Sequence, residues 1–148
     1  MSSFPEERVP EVPKWFWIVA GVAVVWNLMG VAAYFSDVSM TREAVAALPQ
    51  AQQELRAATP RWVTGFYAIA VFGGLAAAVV LCLKRRLAIP LFVVSLVAVV
   101  VQMGYVFVGI NAVDILGPSA MTFPAIIILL GAFQLWFSMH ARNRCWIA

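Results

Sequence analysis

Charge is what this sequence most lacks. Of its 148 residues, 11% are charged and 64% are hydrophobic, whereas a soluble domain has about 25% charged and about 45–50% apolar residues. So few charges cannot coat a water-facing surface, which excludes a water-soluble globule and makes lipid the solvent for much of the chain. Histidine is nearly missing too. The single His140 excludes a two-histidine haem site within one protomer and leaves no cluster at metal-ligand spacing. Only two cysteines occur, Cys82 inside an apolar run and Cys145 near the C-terminus, with no CxxC, so both are read as free thiols. No Walker sequence, GxGxxG, HExxH, nucleophile elbow or haem-attachment motif occurs. No metal and no cofactor is expected, and the chain is not read as an enzyme. The net charge of +3 does not mark a nucleic-acid binder, because the basic residues flank apolar runs, where they orient helices.

What is present is hydrophobic length. Four apolar stretches stand out: Trp15–Phe35, Trp62–Leu83, Ala88–Val108 and Thr122–Met139, of 21, 22, 21 and 18 residues. A helix rises about 1.5 Å per residue against a hydrocarbon core about 30 Å thick, so the first three span easily and the fourth just spans. Backbone groups in hydrocarbon must pair within their own segment, which makes these runs helices. No alternating polar–apolar decamers of a membrane barrel appear. The first run exceeds the apolar core of about 7–15 residues in a cleaved signal and is read as a retained helix. The expected fold class is all-α, a four-transmembrane-helix bundle forming one membrane domain over 1–148, with a short helical extracytoplasmic loop over 36–61.

Lys and Arg give the threading. Arg8, Lys14, Lys84, Arg85, Arg86, Arg142 and Arg144 fall on one side, and Arg42, Arg56 and Arg61 on the other. That bias puts both termini in the cytoplasm. Trp15, Trp17, Trp136 and Trp146 then belong to the inner interface, and Tyr34, Trp62 and Tyr105 to the outer one. Thr59-Pro60 reads as an N-cap followed by proline at the first helical position, and Pro90 and Pro124 fit first turns. In the long loop, Thr41–Leu48 and Gln50–Ala58 read as short helices separated by Pro49, with Met40, Val45, Leu48 and Leu55 as apolar contacts toward the helix mouths. Asp114 reads as a surface turn residue, and His140 as a solvated one.

No charge lies inside the four runs, which disfavours proton coupling through this chain alone. Three deep amides remain: Asn27, Gln102 and Gln134. Counted from helix centres, Asn27 and Gln102 lie at similar depth, about 3 and about 6 Å toward the outside, and are expected to pair across the first and third helices. Gln134 lies about 5 Å toward the cytoplasm. Their ordinary role is interhelical glue at about 0.6–2 kcal/mol per bond; the sharper reading is a small polar pocket for an uncharged ligand. On the second helix, Ala70, Gly73, Gly74, Ala77 and Ala78 form a small-residue seam that lets another backbone come close.

Several segments resemble one family of small bacterial inner-membrane proteins: Trp26-Asn27-Leu28-Met29-Gly30, Met40-Thr41-Arg42-Glu43-Ala44 through Ala47-Leu48-Pro49, Thr59-Pro60-Arg61-Trp62-Val63, Ala70-Val71-Phe72-Gly73-Gly74, and Pro90-Leu91-Phe92 with Ser95-Leu96 and Val101-Gln102-Met103. The resemblance runs from Lys14 to Arg144. It implies a bacterial cytoplasmic (inner) membrane, a four-helix arrangement and the label "sugar transporter" that such proteins often bear; it carries over no catalytic or binding residue. On the residues alone, the expectation is an accessory or scaffolding membrane subunit. The alternative is an oligomeric transporter-like protein for a small uncharged solute such as a sugar. The expected partners are the lipid bilayer and either further copies of the chain or a larger membrane-protein complex.

Overall fold

The computed structural model describes residues 10–148, which are helical and contain no strand. In chain order the elements are α1 (Lys14–Val38), α2 (Arg42–Ala46), α3 (Gln50–Ala58), α4 (Arg61–Cys82), α5 (Ala88–Gly104), α6 (Ala112–Leu116) and α7 (Thr122–Asn143). A π-helical turn, Tyr105–Gly109, prolongs α5, and a 3-10 turn, Pro118–Met121, leads into α7. The resulting rods of 25, 22, 22 and 26 residues are each long and apolar enough to cross a membrane. The chain is thus an all-α, multi-pass membrane protein. Arg8, one of the seven residues used for threading, lies outside the described residues.

Three expected limits move, each for a local reason. α1 continues past Phe35 to Val38, because helical hydrogen bonding does not stop where hydrophobicity does; Ser39 ends it, donating its N–H and its hydroxyl to the Phe35 carbonyl. α4 begins at Arg61 with Pro60 as N-cap and no side-chain cap. Thr59 does not cap it, since its hydroxyl is bonded to the Leu55 carbonyl at 2.7 Å and closes α3 instead. The fourth rod runs from Pro118 to Asn143, eight residues beyond the apolar run, so the segment expected to be shortest is the longest. Pro90 and Pro124 are each the third residue of their helix, where a missing N–H costs nothing.

The long helices alternate in direction and pack as neighbours in the order α1, α4, α5, α7. α1 and α7 close the ring through side chains rather than backbone proximity, chiefly Phe16 stacked on Phe137 at 5.6 Å between ring centroids. One end of the bundle, called here the lid end, holds α2, α3 and α6, with α3 packed on α6. The other, the tail end, holds the 83–87 hairpin and the C-terminal residues.

The tail end is built from a repeated device. α4 ends with Lys84 in the left-handed region, with Lys84 N–H bonded to Leu81 O and Arg85 N–H to Val80 O. α7 ends the same way on Cys145, with Cys145 N–H to Arg142 O and Trp146 N–H to Ala141 O. This double bond satisfies carbonyls that a helix end leaves unpaired. The two turns then join: Arg86 N–H donates to Ala148 O and Ala148 N–H to Lys84 O, both at 2.8 Å. The pairing seats Ile147 in the core, where Phe16, Ala20, Ala77, Ala78, Leu81, Ala88, Phe92, Phe137 and Ala141 are also buried.

Candidate functional site: two adjoining cavities beneath a helical lid

The apolar core fills only the tail half. Lidward of it, a partly open cavity of about 240 Å³ lies among the four long helices. Its walls include Asn27 and Gly30 of α1, Tyr67 and Ala70 of α4, Ser95 and Gln102 of α5, and Gly131 and Gln134 of α7. Above it, under the lid, lies a larger vestibule of about 520 Å³ with Asp37, Gln52, Arg56, Thr59 and Thr64 on its walls. Ala33, Tyr67 and Gln102 line both cavities and so stand at the junction.

At the tailward end of the inner cavity is a hydrogen-bonded amide pair. Asn27 Nδ2 donates to Gln134 Oε1 at 2.8 Å and to the Ala23 carbonyl at 2.7 Å. This corrects the expected pairing of Asn27 with Gln102. α1 and α5 are diagonal across the bundle with α4 between them, so equal depth does not bring those two amides together. α7 is antiparallel to α1, and side chains lean toward the N-terminus of their own helix. Asn27 therefore leans tailward and Gln134 lidward, which closes the depth gap that the residue count left between them.

The small-residue seam explains why this pair fits. At Gly74 three helices converge: a Cβ added there would overlap Asn27 Oδ1 and lie 3.1 Å from Ser95 Oγ. One turn away, Ser95 donates its hydroxyl to the Ala70 carbonyl at 2.6 Å, tying α5 to α4. Gly73 faces α5 more loosely, with Ser95 Cβ at an ordinary 3.7 Å. Ala77 and Ala78 are fully buried in the tail-half core.

Gln102 and Tyr67 differ from these satisfied groups. Among the described residues neither has a side-chain hydrogen-bond partner, and both border open space. The sequence marks Gln102 as a candidate site residue, but Tyr67 and Ser95 are not among the candidates. A signal existed: Ser95 and Gln102 are seven residues, two helical turns, apart, so they share one face of α5. Tyr67, Ala70 and Gly74 likewise follow three-and-four spacing on α4.

One cation ties the lid to α1. Arg56, in the last turn of α3, bonds Asp37 Oδ1 at 2.9 Å and the Asp37 carbonyl at 2.7 Å, with Met40 Sδ at 3.6 Å. It thereby caps an otherwise unpaired carbonyl at the end of α1. Gln53 bridges the α2–α3 corner by donating to the Ala46 and Leu48 carbonyls, and Thr41 Oγ1 caps α2 by accepting from Ala44 N–H. Met40, Leu48 and Leu55 turn into the vestibule. The π turn begins at Tyr105, three residues after Gln102, and sets Val106 in the vestibule wall; such turns recur at functional sites.

His140 is not solvated as expected. It is half-buried, stacked on Trp136 at 5.2 Å, with Trp146 at 5.5 Å and Trp15 at 6.2 Å. Docking of the C-terminal residues brings Trp146 there, which the linear sequence does not reveal. Among the described residues no group of three His, Cys, Asp or Glu side chains could hold a metal, and Cys82 and Cys145 are free thiols. Asp114 is exposed in the first turn of α6.

The fold and its cavities define a small polytopic helical bundle with a lidded internal site. Comparison with family models, with curated proteins and with solved structures finds no match in any of the three.

Proposed function

We propose that this protein binds a small, uncharged, mostly apolar molecule between its four long helices. The observation that supports the reading is the meeting of two cavities at Tyr67 and Gln102, two polar side chains with no protein partner among the described residues. They offer a ligand a phenol and an amide, while Asn27, Ser95 and Gln134 are already engaged with one another and the backbone. The role is binding rather than catalysis, since the walls hold no nucleophile, base or metal cluster in a reactive arrangement. A free sugar suits the inner cavity poorly: each hydroxyl taken from water needs a new partner, and the walls are chiefly aliphatic and aromatic. In the threading that Lys and Arg favour, the lid faces outward from a bacterial inner membrane and the tail end faces the cytoplasm. A reporter fused after Ala148 tests that orientation; a periplasmic signal overturns it.

A packing role beside a larger complex or a second copy is the alternative, and three exposed glycines favour it. A Cβ added at Gly21, Gly65 or Gly104 meets nothing within 4 Å, so a neighbouring helix backbone can approach there.

The test uses the full chain in lipid nanodiscs. Gln102→Cys, with Cys82 and Cys145 replaced by serine, is expected to react with a water-soluble maleimide far faster than Val25→Cys on a lipid-facing surface. Saturating a panel of neutral solutes should raise thermal stability, by about 2.7 kcal/mol at a hundredfold excess over Kd. Tyr67→Phe and Gln102→Leu should remove that shift without lowering the stability of the empty protein. If no solute shifts the transition and the two cysteines react equally slowly, the binding reading fails. Stoichiometric co-purification with a larger complex would then favour the scaffold.

A further inference from the structure

We infer that the bound molecule is a single-chain amphiphile with an uncharged head, which enters sideways from the lid-side leaflet between α1 and α7. The inference rests on the binding reading above and names its ligand class. The polarity order of the two cavities carries it. The vestibule near the lid is the more polar of the two, with Gln52, Thr59 and Thr64 on its walls beside Met40, Leu48 and Leu55, and with Tyr67 and Gln102 at its base. The inner cavity is walled chiefly by apolar side chains and reaches Trp26 and Asn27, at the middle of the 25-residue α1. More polar space near the helix ends above more apolar space reaching mid-helix is the order in which an amphiphile already lies within one leaflet. Such a molecule keeps its orientation on binding, and its chain leaves hydrocarbon without crossing water.

The route in is marked by side chains with two exposures. Met29 of α1 and Phe123 of α7 both line the inner cavity, yet they are 60% and 64% exposed on the outside of the bundle. At both helices the cavity lining therefore reaches the lipid-facing surface. α1 and α7 are also the pair of ring neighbours joined by side chains alone. A headgroup charge finds no free counter-charge: Asp37 and Arg56 are the only charged residues on the vestibule wall among the described residues, and they are paired with each other. The available groups, the Tyr67 hydroxyl and the Gln102 amide, suit a hydroxyl or carbonyl head.

The probe is a monoacylglycerol with a photoactivated diazirine near the end of its acyl chain, added at low mole fraction to nanodiscs containing the full chain. Adducts are mapped by mass spectrometry. The expected result is labelling at Met29, Phe123 and Ile127 about tenfold above Val25 and Leu129, which are exposed on other helix faces. Gln102→Leu should reduce the specific labelling about three- to tenfold, the loss expected for a head hydrogen bond. Ile127→Trp, which fills the cavity, should bring Met29 down to the level of Val25. Uniform labelling of all lipid-facing residues, or full labelling of Met29 in a folded Ile127→Trp protein, overturns the inference. Should Ile127→Trp not fold, the wild-type map decides alone. If labelling is uniform but a water-soluble solute such as glycerol still shifts thermal stability through Tyr67 and Gln102, the binding reading stands and only the amphiphile falls. If both tests are negative, both fall.

Discussion

The two halves of this bundle are built from the same four helices and differ in what lies between them. In the tail half, rings and methyl groups meet directly: Phe16 stacks on Phe137, Trp15 meets Trp146 edge-on at 5.1 Å, and Ile147 is folded into the core. In the lid half, the same helices stand around open space, and lid helices tied to α1 through Arg56 cover it. The difference teaches that one apolar composition supports two physical roles. In the tail half alanines let the helices close up and aromatic rings fill what remains, while in the lid half the side chains facing inward, Gln102 and Tyr67 among them, leave room for a guest. The amide pair Asn27–Gln134 marks the border.

The comparison breaks most readily in the packed half. Phe137→Ala should destabilise the protein by about 3–5 kcal/mol, the cost of a cavity in a filled core, measured by unfolding in mixed micelles. Val99→Ala, on the inner cavity wall, should cost under about 1.5 kcal/mol because space already borders it. Equal losses would show that the lid half is not hollow.

The border itself is next. Gly74→Ala forces a methyl onto Asn27 Oδ1 and should cost about 1–3 kcal/mol, whereas Gly73→Ala should be neutral or stabilise by up to about 1 kcal/mol through helix propensity. A neutral Gly74→Ala would contradict the three-helix convergence. Removing the pair by Asn27→Leu should cost about 0.6–2 kcal/mol. In a double-mutant cycle, Gln134→Leu should then add little further loss, whereas additive losses would mean the two amides do not interact. The smallest effect belongs to the lid. Arg56→Gln should change global stability by at most about 1 kcal/mol, because the pair with Asp37 is partly exposed and screened by salt. It should still speed amide hydrogen exchange across Gln50–Ala58; unchanged exchange would show that Arg56 does not hold α3.

Much of the frame is legible in the order of the residues. Hydrophobic runs fix the number of crossings because lipid leaves no alternative partner for backbone groups, and the lid helices are readable from Thr41 and Pro49. Helix ends are less legible. Thr59 could cap either neighbour, and only its bond to Leu55 decides; His140–Asn143 stay helical because hydrogen bonding ignores hydropathy. The site is half legible. Asn27, Gln102 and Gln134 are visible as the deep amides, but depth along a helix says nothing about which helices are neighbours.

The sequence by itself determined that this protein lives in lipid, crosses it on four helices and carries no charge inside its apolar runs, since each of these follows from local composition. Tertiary structure alone decided that Asn27 bonds Gln134, that Gln102 and Tyr67 face open space, and that Trp146 closes over His140. Those outcomes depend on helix order, antiparallel lean and the docking of residues distant in the chain, none of which has a local signature.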